Sequence, residues 1–113
     1  MVKTYIPKKG DVVYLDFNPT KGHEQKGSRP AVVLSNDIFN QYTNMVILCP
    51  ITSNMKDFPT HYKLEDTKKI KGSVMCEHAR SIDYKTRNVK YIEKLSDNDL
   101  MSIQMLYTAC IEM

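Results

Sequence analysis

A chain of 113 residues, 42% apolar and 26% charged, can bury one core of ordinary size without disulfide or metal and is too short for two. Its formal charge of +3, from thirteen lysines and three arginines against thirteen acids, permits a polyanionic partner without demanding one. Three widely spaced cysteines (Cys49, Cys76, Cys110) exclude a disulfide framework and a zinc knuckle and point to a reducing compartment, while the lack of a long apolar run or glycine-rich phosphate loop excludes a signal peptide, a membrane span and a nucleotide-fuelled enzyme.

Lys8-Lys9-Gly10-Asp11 is a polar turn, and residues 12–17 that follow are β-branched and aromatic, as in a half-buried strand. The polar connection from Asn18 to Arg29 is long for a hairpin, which needs about two to five residues, and such loops are commonly functional. Pro30 favours an extended Arg29 and suits a strand's first position, so Arg29 is expected at a loop–strand junction. Residues 31–34 form a short apolar strand, ended by Ser35-Asn36-Asp37, which can cap a brief helical turn through Tyr42. Residues 45–51 read as a central strand in which Pro50 predicts a bulge or an edge, with Thr52 and Ser53 at its end.

Beyond a loop at 54–59, residues 60–64 alternate like a strand with one wet face, and 65–72 are polar and lysine-rich. Residues 73–76, 80–82 and 89–92 read as further strands, and short strands in this number suggest a barrel or a sandwich. The C-terminal helix is the clearest element: Ser96 caps it, Asp99 takes the capping-box position, and Leu95 with Leu100 forms a hydrophobic staple. Leu100, Ile103, Leu106 or Tyr107, and Cys110 share its inner face, and Met101 and Met105 are read as packing.

The scarce arginines, Arg29, Arg80 and Arg87, are candidates for forked recognition of phosphate, with a surface ion pair the plainer reading for Arg87. A guanidinium and a hydroxyl facing one groove suit a phosphodiester, which Arg29 with Thr52 or Ser53 would supply if adjacent strands bring them together. Glu24 or His23 could exchange protons there. Lys56, Lys63, Lys68, Lys69 and Lys71 are either a phosphate track or a solvated face. His61 and the pair Cys76 and His78 lack the ligand spacing of a zinc site, so no metal is expected.

Several segments together are specific: Gly10-Asp11-Val12-Val13-Tyr14-Leu15-Asp16-Phe17-Asn18-Pro19, Gly22-His23-Glu24-Gln25, Ser28-Arg29-Pro30-Ala31-Val32-Val33, Pro50-Ile51-Thr52-Ser53 and Arg80-Ser81-Ile82-Asp83. They resemble the MazF/PemK toxin family over nearly the whole chain. The resemblance implies a mainly β, compact SH3-like barrel (CcdB/MazF/Kid-type) with a short helix and a C-terminal helix, one domain over residues 1–113, and a homodimer in the cytoplasm, without membrane attachment. It implies a type II toxin, restrained by a MazE-like antitoxin, that cuts single-stranded RNA or mRNA at specific sequences without metal or other cofactor. Attack by a ribose 2′-hydroxyl would leave a 2′,3′-cyclic phosphate and a 5′-hydroxyl. By the same resemblance Arg29 and Thr52 are the catalytic pair and Glu24 contributes to the site, with His23, Gln25, Ser53, Lys56, His78 and Arg80 expected to touch RNA. His78 departs from the glutamine that many family members carry there, so it either stacks on a base and titrates or fills the amide's hydrogen-bonding place. The alternatives are a toxin of similar fold that poisons DNA gyrase without cutting nucleic acid, and a non-catalytic RNA-binding barrel.

Overall fold

The structure is a computed structural model and describes residues 5–17 and 28–112. The apolar runs at 12–13, 31–33 and 46–51 become strands buried on both faces, which is why they lack the alternation of a sheet with one wet side. In chain order the elements are β1 (Asp11–Asp16), β2 (Ser28–Val33), α1 (Asp37–Thr43), β3 (Met45–Thr52), β4 (His61–Lys63), β5 (Ser73–Met75), a single 3-10 turn (Cys76–His78), β6 (Arg80–Asp83), β7 (Lys90–Lys94) and α2 (Asp97–Ile111). The strands form one bent antiparallel sheet in the order β4-β5-β3-β2-β1-β7, with β6 paired to β3. Among the described residues β4 and β7 end the sheet without pairing to each other, so the expected barrel is present in its open form.

Period-two alternation sends neighbouring side chains of one strand into two cores. Val12, Val32, Cys49 and Ile51 face a core closed by Val74, Leu95 and Ile103, under α2. Val13, Leu15, Phe17, Ala31, Val33, Val46 and Leu48 face the other, closed by Ile82 and Tyr84. At roughly 1.5–3 kcal/mol for each fully buried aliphatic side chain, these two layers dominate the stabilisation.

Strand β3 exchanges partners at Pro50. Its ladder with β2 ends at the pair Ala31 and Pro50, whereas the β1–β2 ladder runs on to Asp16 and Ser28. On its other side β3 pairs with β6 as far as Leu48 opposite Arg80, then with β5 from Ile51 opposite Val74. Cys49 and Pro50 therefore lie across from the 3-10 turn, where a residue without an N–H leaves no ladder bond unmade. The expected irregularity at Pro50 is thus a fork in the sheet. Ser28 and Arg29, assigned to the loop on sequence grounds, belong to β2, because β1 continues to pair with them. Residues 18–27, which carry His23, Glu24 and Gln25, lie outside the described residues.

Helix α1 starts where Asn36 Oδ1 accepts from Phe39 N at 2.8 Å and stops at Asn44, which takes the left-handed conformation with φ 59°. In α2, Ser96 Oγ accepts from Asp99 N at 3.0 Å, as expected of the cap. Asp99 does not close the box by reaching back. Its buried carboxylate accepts from Tyr62 Oη at 2.6 Å, Asp66 N at 2.9 Å and Glu65 N at 3.3 Å, tying helix, β4 and the 65–72 loop together. Burial first, and the bond to Asp99 second, push the Tyr62 hydroxyl up to about 12. The staple forms, since Leu95 and Leu100 join the same core, and both Leu106 and Tyr107 pack there. Cys110, Met101 and Met105 do not: all three are exposed, a correction to their reading as inner-face and packing residues, because α2 turns only a narrow stripe to the sheet.

A further acid and an arginine act as braces. Glu93 accepts from Lys68 N, Lys69 N and Ile70 N, each at 2.9 Å, so three consecutive backbone donors of the lysine-rich loop end on one carboxylate. Burial alone would raise Glu93, and those donors outweigh it to leave the group below its ordinary range. Arg87 turns to the backbone: its Nη1 donates to Phe17 O at 2.6 Å and Asp16 O at 3.3 Å, securing the end of β1, and it forms no ion pair among the described residues.

Asp99→Ala removes the shared acceptor of three donors and is expected to cost about 3 kcal/mol, against about 1 kcal/mol for Ser96→Ala, which loses the cap and an exposed bond to Asp66. Urea unfolding of the two variants beside wild type measures both, and equal losses would contradict the bracing role of Asp99.

Candidate functional site

The face that buries the second core continues past it in polar residues. Two positions beyond Ala31 on β2 is Arg29, two and four beyond Leu48 on β3 are Pro50 and Thr52, and two beyond Ile82 on β6 is Arg80. Together with Phe17, Met75 and His78 these residues line a hollow of about 350 Å³ at the mouth of the fork. A second hollow, of about 430 Å³, opens beside it and is lined by Tyr14, Pro30, Ile51, Ser53, Ile70 and Lys71. Arg29 and Thr52 border both. The fork is what makes this possible, because Arg29 stays with the β1–β2 ladder while Thr52 leaves on the β3–β5 ladder.

The electrostatics are of one sign. Arg29, Arg80 and Lys71 contribute to the two linings, and no carboxylate does among the described residues. The Arg80 guanidinium lies over the Phe17 ring, 5.4 Å from its centroid, a cation–π contact that holds its fork at the rim. Thr52 Oγ1 accepts from Asn54 N at 3.1 Å, and with that lone pair engaged the hydroxyl proton remains available to donate outward. A forked cation and an oriented hydroxyl at one edge can bind a tetrahedral anion and stabilise charge growing on it.

His78 ends the 3-10 turn and is exposed, with Nε2 3.7 Å from Glu77 Oε2. Glu77 holds the turn: its carboxylate accepts from Thr60 Oγ1 at 2.6 Å and meets His61 Nε2 at 2.7 Å. Burial would raise Glu77, and the bonds from Thr60 and His61 outweigh it to leave the group lowered. His61 is therefore a brace between β4 and the turn.

Of the residues expected from sequence, Arg29, Thr52, Ser53, His78 and Arg80 are brought together. Lys56 is not with them: it lines a separate hollow of about 510 Å³ with Phe58 and His61. The lysine track breaks up likewise. Lys63 pairs with Asp57 at 2.8 Å, Lys68 and Lys69 serve through their backbones, and only Lys71 reaches the fork. Phe17, Met75 and Tyr14 were missed, although stepping forward by two from Leu15 of β1 would have found Phe17 on the Arg29 face. Gly72 was missed as well. Its φ is 152°, and a Cβ there would lie 2.5 Å from Thr52 O and 2.8 Å from Ile51 Cγ2, so only glycine lets the Lys71 loop close on the Thr52 strand.

Gly72→Ala must push that loop and the Thr52 strand apart, with an expected cost of about 1–3 kcal/mol and altered amide shifts at 51–53 by NMR; unchanged shifts would place the strain elsewhere. A second expectation concerns acid. Glu77 and Glu93 are both lowered in the folded chain, so the unfolded state binds more protons as pH falls. Their contribution is complete above the ordinary glutamate value of about 4.3 and fades as pH drops through the lowered native values. Urea midpoints between about pH 6 and 3 are expected to fall less steeply for Glu93→Gln than for wild type.

Comparison with known proteins gives the family. A family model described as PemK-like, MazF-like toxin of type II toxin–antitoxin system matches residues 8–106. The chain is 35% identical over 104 residues to the endoribonuclease toxin MazF of Escherichia coli K12, covering 92% of this chain and 93% of that protein. It is 38% identical over 101 residues to the endoribonuclease MazF of Staphylococcus saprophyticus, covering 85% and 83%. Its fold matches MazF from Deinococcus radiodurans with a TM-score of 0.85 at 33% identity, over 97% of this chain and 100% of that one. A MazE–MazF structure from the same organism gives 0.86 at 30% identity, over 96% and 99%. The chain therefore belongs to the family of PemK-like, MazF-like toxins of type II toxin–antitoxin systems.

Proposed function

We propose that this chain is the toxin of a type II toxin–antitoxin pair and acts as a sequence-specific endoribonuclease on single-stranded RNA, with Arg29 and Thr52 at the scissile phosphate. The observation that carries the reading is the shared edge of two hollows, without a carboxylate among the described residues of their linings, where one guanidinium and one hydroxyl converge. Relatives named endoribonuclease support the activity, and a gyrase-poisoning role finds no support among them.

In the reaction the ribose 2′-oxygen attacks the adjacent phosphorus, the bond to the 5′-oxygen breaks, and a 2′,3′-cyclic phosphate and a 5′-hydroxyl result. Arg29 clamps the equatorial oxygens with its fork, Thr52 donates a hydrogen bond to the same group, and the leaving 5′-oxygen takes a proton from water, which balances the one removed from the 2′-hydroxyl. Arginine has no acceptor and stays protonated, so removal of the 2′-hydroxyl proton falls to water, Glu24 or His23. His78 and Arg80 seat a base and a phosphate beside the cut. The partner is a MazE-like antitoxin, consistent with MazE–MazF structures among the matches, and the working unit is a homodimer in the cytoplasm formed from one domain per chain. No helix among the described residues is long and apolar enough to cross a membrane.

Incubation of the purified chain with mixed-sequence RNA in chelator, followed by mapping of the ends, tests this reading. Wild type is expected to give sequence-restricted cuts with cyclic phosphate ends. Arg29→Ala, Arg29→Lys and Thr52→Ala are each expected to lose activity, about a hundredfold or more for Arg29→Ala, with unchanged far-UV circular dichroism. Near-normal cutting by Arg29→Lys would remove the clamp, and intact RNA with wild type would remove the activity.

A further inference from the structure

Arg29 and Thr52 border two hollows, and the reaction as described occupies only the one that holds His78 and Arg80. A phosphate seated at that shared edge has a hollow on each side of it. A chain of RNA crossing the edge must therefore place one neighbouring nucleotide in each.

The second hollow has the parts a nucleotide requires. Tyr14, on β1 opposite Pro30, is 42% exposed, and at about 430 Å³ the space beside it lies within the usual range for small-ligand sites. An exposed aromatic face stacks on any base, because every base has a π-face. Lys71 supplies a cation for the next phosphate, and Ser53 a hydroxyl that can donate or accept. The first hollow sets the exposed His78 ring beside Arg80, so each side of the fork offers one exposed ring and one cation.

Lys71 also stands on a prepared backbone. The three N–H groups before it, at Lys68, Lys69 and Ile70, end on Glu93, and the residue after it, Gly72, accepts from Leu64 N at 3.0 Å and packs against Thr52 O. A lysine in a solvated run needs no such bracing. Held this way, its ammonium starts from a fixed root beside Thr52, and less freedom is lost when a phosphate binds.

We propose that Tyr14, Ser53 and Lys71 form a second nucleotide subsite, which receives the nucleotide on the opposite side of the scissile phosphate from the one seated against His78 and Arg80. The subsite rests on the ribonuclease reading, and Glu93 is its positioning residue.

The test uses the sequence at which the full chain cuts, made uncleavable by a 2′-deoxy substitution at the attacking nucleotide, together with two versions trimmed on the 5′ or the 3′ side of the cut. Wild type is expected to bind both trimmed RNAs more weakly than the full one. Tyr14→Leu lowers affinity for the full RNA by roughly tenfold, with recovery in Tyr14→Phe, and Lys71→Ala lowers the slope of log affinity against log salt by about 0.7. In both variants the trimming penalty disappears on one and the same side and persists on the other, and His78→Ala gives the mirror image. Glu93→Gln raises KM on the cleavable RNA while kcat is kept, a split that general unfolding would not produce. Wild-type affinity in Tyr14→Leu and Lys71→Ala, or loss of both trimming penalties alike in variants with native circular dichroism, overturns the subsite. A wild-type chain that cuts no RNA defeats the ribonuclease reading, and the subsite with it, so the two failures are distinguishable.

Discussion

The exchange of partners by β3 at Pro50 is the constraint on which the site depends. A proline in a central strand would normally forfeit a ladder bond, but here it sits where β6 has ended and β5 has not begun, so none is lost. From that point two ladders diverge, one carrying Arg29 and the other Thr52. The opening between them is set by backbone pairing on both sides, which is stiffer than any arrangement of side chains on a loop. Gly72 makes the divergence possible from behind, since any side chain there would collide with the Thr52 carbonyl.

The acids explain how a chain with only +3 net charge presents, among the described residues, a cleft whose charged linings are all cationic. Asp11 accepts from Tyr5, from Lys8 N at 2.9 Å and from Lys94 Nζ at 2.7 Å, fixing the N-terminal segment to β7. Asp99 and Glu93 secure the two halves of the 65–72 loop, and Glu77 secures the turn that bears His78. Each of these carboxylates is engaged by donors, and none of them lines either hollow. The positive groups are left facing the opening. Charge balance read from composition averages over this separation and so understates it.

Much of this was legible in the sequence because it is local. Apolar runs marked β1, β2 and β3, Ser96 marked the start of α2, and the sequence segments around Arg29 and Thr52 carried the family. What was not legible depends on pairing across distance. Nothing local distinguishes Asp99 as a capping-box residue from Asp99 as a brace to a loop over thirty residues away, and burial decided it. Lys71 looks like its neighbours Lys68 and Lys69 until Glu93 fixes the backbone beneath all three. Arg29 was placed at a junction because Pro30 looks like a beginning, yet β1 goes on pairing with the two residues before it. Met101 and Met105 read as packing from how methionine is generally used, whereas both lie on the side of α2 turned away from the sheet.

The described part of the site is built almost wholly from donors. Arg29, Arg80 and Lys71 have no acceptor atoms, and Thr52 has one lone pair engaged by Asn54 N. Such a set can stabilise charge on a phosphorane but cannot start the reaction, which needs a group to accept the 2′-hydroxyl proton. Among the described residues of the two hollows, His78 is the one side chain that could serve as such a base, and otherwise the acceptor is water or a residue of the 18–27 stretch, where Glu24 and His23 stand. Where that acceptor is Glu24 or His23, the two tasks belong to different parts of the chain: paired strands supply electrostatic stabilisation, and the stretch between β1 and β2 supplies proton transfer. A partner that occupies the donors with its own carboxylates meets the same fork and the same cations as a phosphate does. An acidic antitoxin segment can thus block the site by resembling the substrate's charge, without needing any contact with the group that moves the proton.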